Sequence, residues 1–375
     1  MNRKINCQLC LLGGFWLLFA STVQAASFCV SSSLELQNAL TIADSNNQAD
    51  HIKLRFGNYI APGNGFVYSG LTENNDLEIS GNWFTFNNNN CGSRLMAGDP
   101  FNYSTLDGNN TASALTIIPG ASGDITISYV VFTHGNSDDF GGGLRLFPVA
   151  EYLGDVLIEN NVFFDNASED AGAFYIGGGH RVVVRNNLIL NNVTNSSAGG
   201  LMINQESSGG AGSNSGIYFT NNTVYENSAA IGHSLLFGGL SVWVEDSSQA
   251  FIANNILWGN SEADLALSGS GYKYLFNNDI GFISGANADE ASGNFSSTPE
   301  FEPGSLNFKP ALNSAVSNRG KKPPTFTHIP PLFYEQWSLG SNDLIGQARV
   351  YGTRVDVGAI ESDSLSDLIF EDDFE

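Results

Sequence analysis

Apolar residues recur along this chain in short alternating runs, and the polar residues that interrupt the runs recur with them. "VLIENNVFFDN" (156–166), "VVVRNNLILNN" (182–192), "IYFTNNTVYEN" (217–227) and "AFIANNILWGN" (250–260) are copies of one arrangement. In each, the second Asn of a pair is followed five positions later by another: Asn161 and Asn166, Asn187 and Asn192, Asn222 and Asn227, Asn255 and Asn260. Alternation with period two predicts strands, and the clusters of Gly, Asn, Ser and Asp between runs predict turns. A second run follows each copy, as in "AGAFYIG" (171–177), "AGGLMIN" (198–204), "IGHSLLF" (231–237) and "ADLALSG" (263–269), with "GGGLRLF" (141–147) ahead of the first. Each repeat therefore carries at least two strands, with a short third one expected.

Successive copies of the second Asn lie 26, 35 and 33 residues apart (161 to 187, 187 to 222, 222 to 255). Such lengths fit one turn of a solenoid, whereas a propeller blade needs about 40 to 45 residues and hairpin turns. The predicted fold is all-β, a right-handed parallel β-helix. Weaker copies, "LEISGNWFTFN" (77–87), "ITISYVVFTHGN" (125–136) and "YLFNNDIGF" (274–282), extend it to roughly seven to nine turns. Strands stacked about 4.8 Å apart place equivalent side chains in columns. An Asn column satisfies itself, each amide donating to one neighbour and accepting from the other, so these residues read as structural. Ile158, Val184, Phe219 and Ile252 should form one inward column, and Phe163, Ile189, Val224 and Leu257 another.

One segment departs from the period of two. "SSLELQNALTIA" (32–43) opens with Ser32 and Glu35 in capping-box spacing and sets Leu36, Ala39, Leu40 and Ala43 on one face, which predicts a short N-terminal capping helix.

Charge narrows the partners. The 375 residues carry 38 acids and 15 bases, a formal charge of -23, which argues against nucleic acid or an anionic membrane. At the N-terminus, Arg3 and Lys4 precede the apolar run "LCLLGGFWLLFA" (9–20) and the small-residue site "VQA" (23–25), the pattern of a signal peptide cleaved near Ala25 or Ala26. The run is too short to span a bilayer core of about 30 Å as a helix, so no transmembrane segment is expected in the mature chain. A secreted or cell-surface location follows, and Cys29 and Cys91, which remain after cleavage, are expected to pair in an oxidising compartment. The domain plan is a signal peptide over 1–25, a cap and first strands over 26–75, coils over 76–290, a C-terminal segment over 291–362 and an acidic tail over 363–375.

"VLIENNVFFDN" followed by "AGAFYIG" resembles the coils of secreted bacterial right-handed parallel β-helix proteins and is similar to the repeats of polymorphic outer-membrane proteins. "NFKPALNSAVSNRG" (307–320) and "IGQARVYGTRVDVGAIES" (345–362) resemble the end of the choice-of-anchor Q domain, with Asn318, Gly320, Arg349, Asp356, Gly358 and Glu361 among the matching positions. The resemblance implies fold and export. It implies no shared activity. "SDLIFEDDFE" (366–375) is similar to a short acidic-aromatic ending of exported bacterial proteins, against the alternative of a frayed acidic terminus.

Candidate chemistry is sparse. The five His residues show no zinc spacing, and neither a GxSxG nor a phosphate loop is present. "NSDD" (136–139) and "NASED" (166–170) follow equivalent strands, so Asp138, Asp139, Glu169 and Asp170 should approach on one edge, either as a solvated rim or as a calcium site. Tyr175, Tyr218, Tyr225 and Trp258 are expected on the surface, where they could stack on sugars. Three functions are compatible: a monomeric, noncatalytic binder of a polysaccharide or cell-surface glycan, an adhesin-like role; a polysaccharide lyase or glycosidase acting on an acidic polysaccharide; and a structural spacer.

Overall fold

The computed structural model describes residues 25–84, 91–95, 98–147, 152–205, 215–229, 237–304, 308–321, 339–350 and 354–362. The expected signal sequence, most of "IGHSLLF" and the acidic tail lie outside the described residues.

The chain winds as a right-handed parallel β-helix whose turns stack into four sheets, of eleven, eight, four and eight strands. The turn that begins at Val156 shows the plan: Val156–Glu159 lies in the first sheet, Val162–Phe164 in the second, Ala167–Asp170 in the third and Phe174–Ile176 in the fourth. Four strands per turn exceed the two or three expected, because the third sheet uses short polar strands without apolar alternation. Register follows the repeat: Ile158 pairs with Val184, Val184 with Phe219 and Phe219 with Ile252. Phe163, Ile189, Val224 and Leu257 form the second inward column. Both columns are fully buried in one core that runs the length of the helix.

The Asn pairs make the corner between the first and second sheets, and the two members do different work. The first member takes left-handed backbone geometry: Asn160, Asn186, Asn221, Asn254 and Asn277 have φ between 54° and 57°. Asn tolerates that conformation better than most side chains. Tyr129 holds the same place in the weaker copy, at φ 57°. The second member points inward and builds the ladder, which continues through Asn278 to Asn294. The later Asn of each copy makes a parallel ladder, and Asp264 ends it by accepting from the Asn260 side chain at 2.8 Å.

The helix, Ser33–Ala43, closes the N-terminal end. Ser32 caps it, accepting from the Glu35 N–H at 3.3 Å, while the Glu35 carboxylate takes the Ser31 N–H at 2.7 Å. Leu36, Ala39, Leu40 and Ala43 are buried against the first core residues, as the spacing predicts. Cys29 and Cys91 form a disulfide with Cα atoms 5.5 Å apart, tying the first strand to the chain that follows the third strand of the first sheet.

The C-terminal segment folds back over the second sheet. Leu344, Ala359 and Ile360 pack on Val131, Val162, Leu188 and Leu190, and Val316 and Val357 pack on Ile256. This explains why the runs after each Asn pair are apolar on both faces.

Candidate functional site

The outer face of the first sheet is open over its early turns. Two depressions of 370 and 240 Å³ lie on it and share Asp124 and Thr126, so together they form a trough from His51 to Arg185. Its edge is a carboxylate ladder. Asp76 Oδ1 accepts the Asp124 N–H at 2.9 Å, and Asp124 Oδ1 accepts the Asp155 N–H at 2.9 Å. Asp155 ends the row by binding His180 Nδ1 at 3.0 Å and the Arg181 guanidinium, Nε at 2.7 Å. Burial pushes the Asp155 carboxyl up, but the hydrogen bonds from Arg181 and His180 outweigh it and hold it below the usual range. On the other side of the trough Arg185 pairs with Glu159 across adjacent strands, Nε to Oε2 at 2.8 Å.

At the N-terminal end a polar knot closes the trough. His51 Nε2 lies 2.6 Å from Ser80 Oγ and 3.1 Å from Glu78 Oε1, and Trp83 Nε1 donates to the same Ser80 oxygen at 2.9 Å. Burial, then Lys53 and Arg94, depress the His51 imidazole to about 4, so it is neutral at pH 7. Glu78 is raised by its burial.

Beyond Arg185 the same face turns aromatic. Val183, Tyr218, Phe251 and Tyr274 are in register, with ring centroids 6.0 Å apart for Tyr218 and Phe251 and 4.6 Å for Phe251 and Tyr274, all near parallel. Tyr218 is 0% exposed and Phe251 2%, whereas Tyr272, beside Tyr274, is 57% exposed. Contact with a ligand on this row falls to Tyr272 and Tyr274.

The four aromatics singled out from the sequence are not exposed platforms. Tyr175 is 6% exposed, between Phe140 and Phe147, and Tyr218 is the buried member of the row just described. Tyr225 packs edge-on to Phe301, and Trp258 packs on the cluster of Ile256, Val316 and Val357, both beneath the C-terminal segment. The expected exposure of these residues is not met, because a covering layer that local pattern does not reveal packs on them.

The acidic loops do meet as adjacent strands, Asn136–Phe140 beside Ala167–Asp170, but the register breaks between Ser137 and Phe140. Asp139 turns to Arg145 at 2.7 Å, and Asp170 accepts from Ser197 Oγ at 2.6 Å. Among the described residues no group of three or more His, Cys, Asp and Glu side chains could hold a metal ion. Asp139 and Asp170 thus take separate internal partners, and the expected gathering of Asp138, Asp139, Glu169 and Asp170 around calcium is not seen among the described residues.

Sequence reasoning missed the carboxylate ladder. Its signal was present: Asp76, Asp124 and Asp155 each stand immediately before the apolar alternation of a first-sheet strand, in "DLEI", "DITI" and "DVLI".

The family model described as the right handed beta helix region matches residues 101–280, in agreement with the parallel sheets. No curated protein and no solved structure matches the chain. Among the described residues no helix is long and apolar enough to cross a membrane.

Proposed function

We propose that this protein is an exported, noncatalytic binder of an extended, uncharged glycan, held along the outer face of the first sheet. The observation that carries the reading is that the open polar trough over the early turns and the rings of Tyr272 and Tyr274 over the late turns lie on the same face of one sheet, with the buried Tyr218 and Phe251 between them. Ten parallel strands build that face, on the order of 40 Å of regular surface. A sugar chain presents hydroxyl edges and apolar C–H faces; carboxylate and guanidinium pairs suit the first, and Tyr272 and Tyr274 the second. A chain of formal charge -23 repels polyanions, which favours a neutral ligand. The Cys29–Cys91 disulfide supports residence in an oxidising compartment.

A glycosidase reading is favoured by one observation, the half-buried carboxyl of Glu78 inside the trough, raised by its partial desolvation. Affinity electrophoresis of the mature chain through gels containing neutral or acidic polysaccharides, with parallel reducing-end assays, separates the readings. Retardation by a neutral polymer without new reducing ends supports binding, and new reducing ends support hydrolysis. Neither effect with any polymer contradicts both.

A further inference from the structure

The smaller depression in the trough has a lining that discriminates among sugars. Asp124 and Asp155 stand immediately before the paired residues Ile125 and Val156, and Arg181 immediately before Val182, so the three form one outward row on successive strands. Their hydrogen-bonding capacity is only partly used. Asp124 Oδ1 accepts the Asp155 N–H, whereas Asp124 Oδ2 makes no hydrogen bond among the described residues, and Asp124 is exposed. Arg181 commits Nε and Nη2 to Asp155, which leaves its Nη1 without a partner among the described residues. The next outward row is apolar at this level. Leu157 and Val183 pair in register, both half-buried, between the buried Val156 and Ile158 and the buried Val182 and Val184.

Charge and shape narrow what fits. Asp155 neutralises Arg181 and Glu159 neutralises Arg185, so neither guanidinium offers an unpaired positive charge, while Asp124 has no cationic partner among the described residues. A carboxylate or sulfate substituent is therefore repelled. A hydroxyl can give and accept a hydrogen bond, but it leaves Leu157 and Val183 uncovered. An acetamido group supplies an N–H donor, a carbonyl acceptor pointing the opposite way, and a methyl. The backbones that carry Asp124 and Arg181 are two strand spacings apart, about 9.6 Å, the separation that one amide bridges between the two neighbours of its own strand in a sheet. The depression, at 240 Å³, is smaller than the roughly 300 Å³ at which sites for drug-sized ligands begin, so it suits one sugar residue and its substituent.

We infer, resting on the glycan-binding reading above, that the sugar seated here carries an N-acetyl group: its N–H donates to Asp124 Oδ2, its carbonyl accepts from Arg181 Nη1, and its methyl lies on Leu157 and Val183. The ligand class is then a neutral polymer of acetamido sugars, selected over polymers that bear hydroxyls alone.

The test is calorimetric titration of the chain without its expected signal sequence, disulfide intact, with hexamers of β-1,4-linked N-acetylglucosamine and of β-1,4-linked glucose. The acetylated hexamer should bind about tenfold more tightly or better. Asp124→Asn keeps an oxygen for the Asp155 N–H but turns the other oxygen into a donor, and Val183→Thr keeps the shape but replaces a methyl by a hydroxyl. Each should lower the ratio of the two affinities about threefold or more, and either variant decides if the other does not fold. In the wild type, the methyl resonances of Leu157 and Val183 should shift with the acetylated hexamer. Equal affinities, or tighter binding of the glucose hexamer, overturn the inference and leave the neutral-glycan reading standing. A preference that survives both substitutions, or methyl resonances that do not move, overturns the placement in this depression. Binding of neither hexamer overturns the inference as well, and the glycan reading falls with it only where no neutral polymer retards the chain in electrophoresis.

Discussion

The side-chain amide of Asn187 donates to Asn222 Oδ1 at 3.0 Å, one turn further along the solenoid, and the backbone N–H of Asn187 reaches the same oxygen at 3.0 Å. The Asn187 Nδ2 also bonds the Ile158 carbonyl of the previous turn at 2.9 Å, so one side chain joins three turns. A buried polar column is stable only while each member is satisfied. Asn187→Leu should therefore lower stability by roughly 1 to 3 kcal/mol, the cost of leaving neighbouring donors and acceptors without partners. An unchanged denaturation midpoint would remove the ladder from the account of stability.

The neighbouring residue gives a contrast. Asn186→Gly keeps left-handed geometry at φ 54° but deletes the amide that holds Leu339 and Asn342. Combined with Asn221→Gly, which deletes the donor to the Asp356 carbonyl, it should weaken docking of the C-terminal segment by about 1 to 3 kcal/mol while sparing the ladder. Exchange rates at Leu344 and Gly358 should rise and those at Asn187 and Asn222 should not.

These two residues also mark what was legible in sequence. The ladder was, because a five-residue offset repeated in four copies can only mean equivalent positions on stacked turns. The hold of the outward amides on the C-terminal segment was not, because their partners are chosen by tertiary folding: Asn160 donates to the Asp343 carbonyl, 183 positions away. The same distance hid the true setting of Tyr225 and Trp258, whose covering residues Phe301 and Val357 belong to no local pattern. The acids at 138–139 and 169–170 were read as converging loops of adjacent turns, whereas they lie on short paired strands on which Arg145 and Ser197 satisfy Asp139 and Asp170.

Reduction of the Cys29–Cys91 disulfide, which closes a separation of 62 residues, should lower stability by on the order of 4 kcal/mol in the chain-entropy account. The cap and first turns should lose exchange protection before the central coils. Thiol titration of the protein produced in an oxidising compartment checks the premise, since two reactive thiols without reductant would exclude the bond.

Asp279 is fully buried, with one oxygen accepting the Ser297 N–H at 2.9 Å, and burial raises its carboxyl to about 7. A raised folded-state value means stability is greatest below the ordinary 3.8 and declines as pH climbs to about 7. Asp279→Asn should therefore show a smaller loss of melting temperature between pH 5 and 8 than the wild type. Equal losses would show that Asp279 does not titrate in that window.

The most direct test of the central claim, that the outer face of the first sheet is the binding surface, is the affinity of Tyr272→Ala/Tyr274→Ala for whichever neutral polysaccharide retards the wild type, measured by titration calorimetry. Loss of two contact rings should weaken binding about tenfold or more, roughly 1.4 kcal/mol. Unchanged affinity in that variant, with a loss instead from Trp243→Ala on the fourth sheet, where Trp243 is 45% exposed, would contradict the claim.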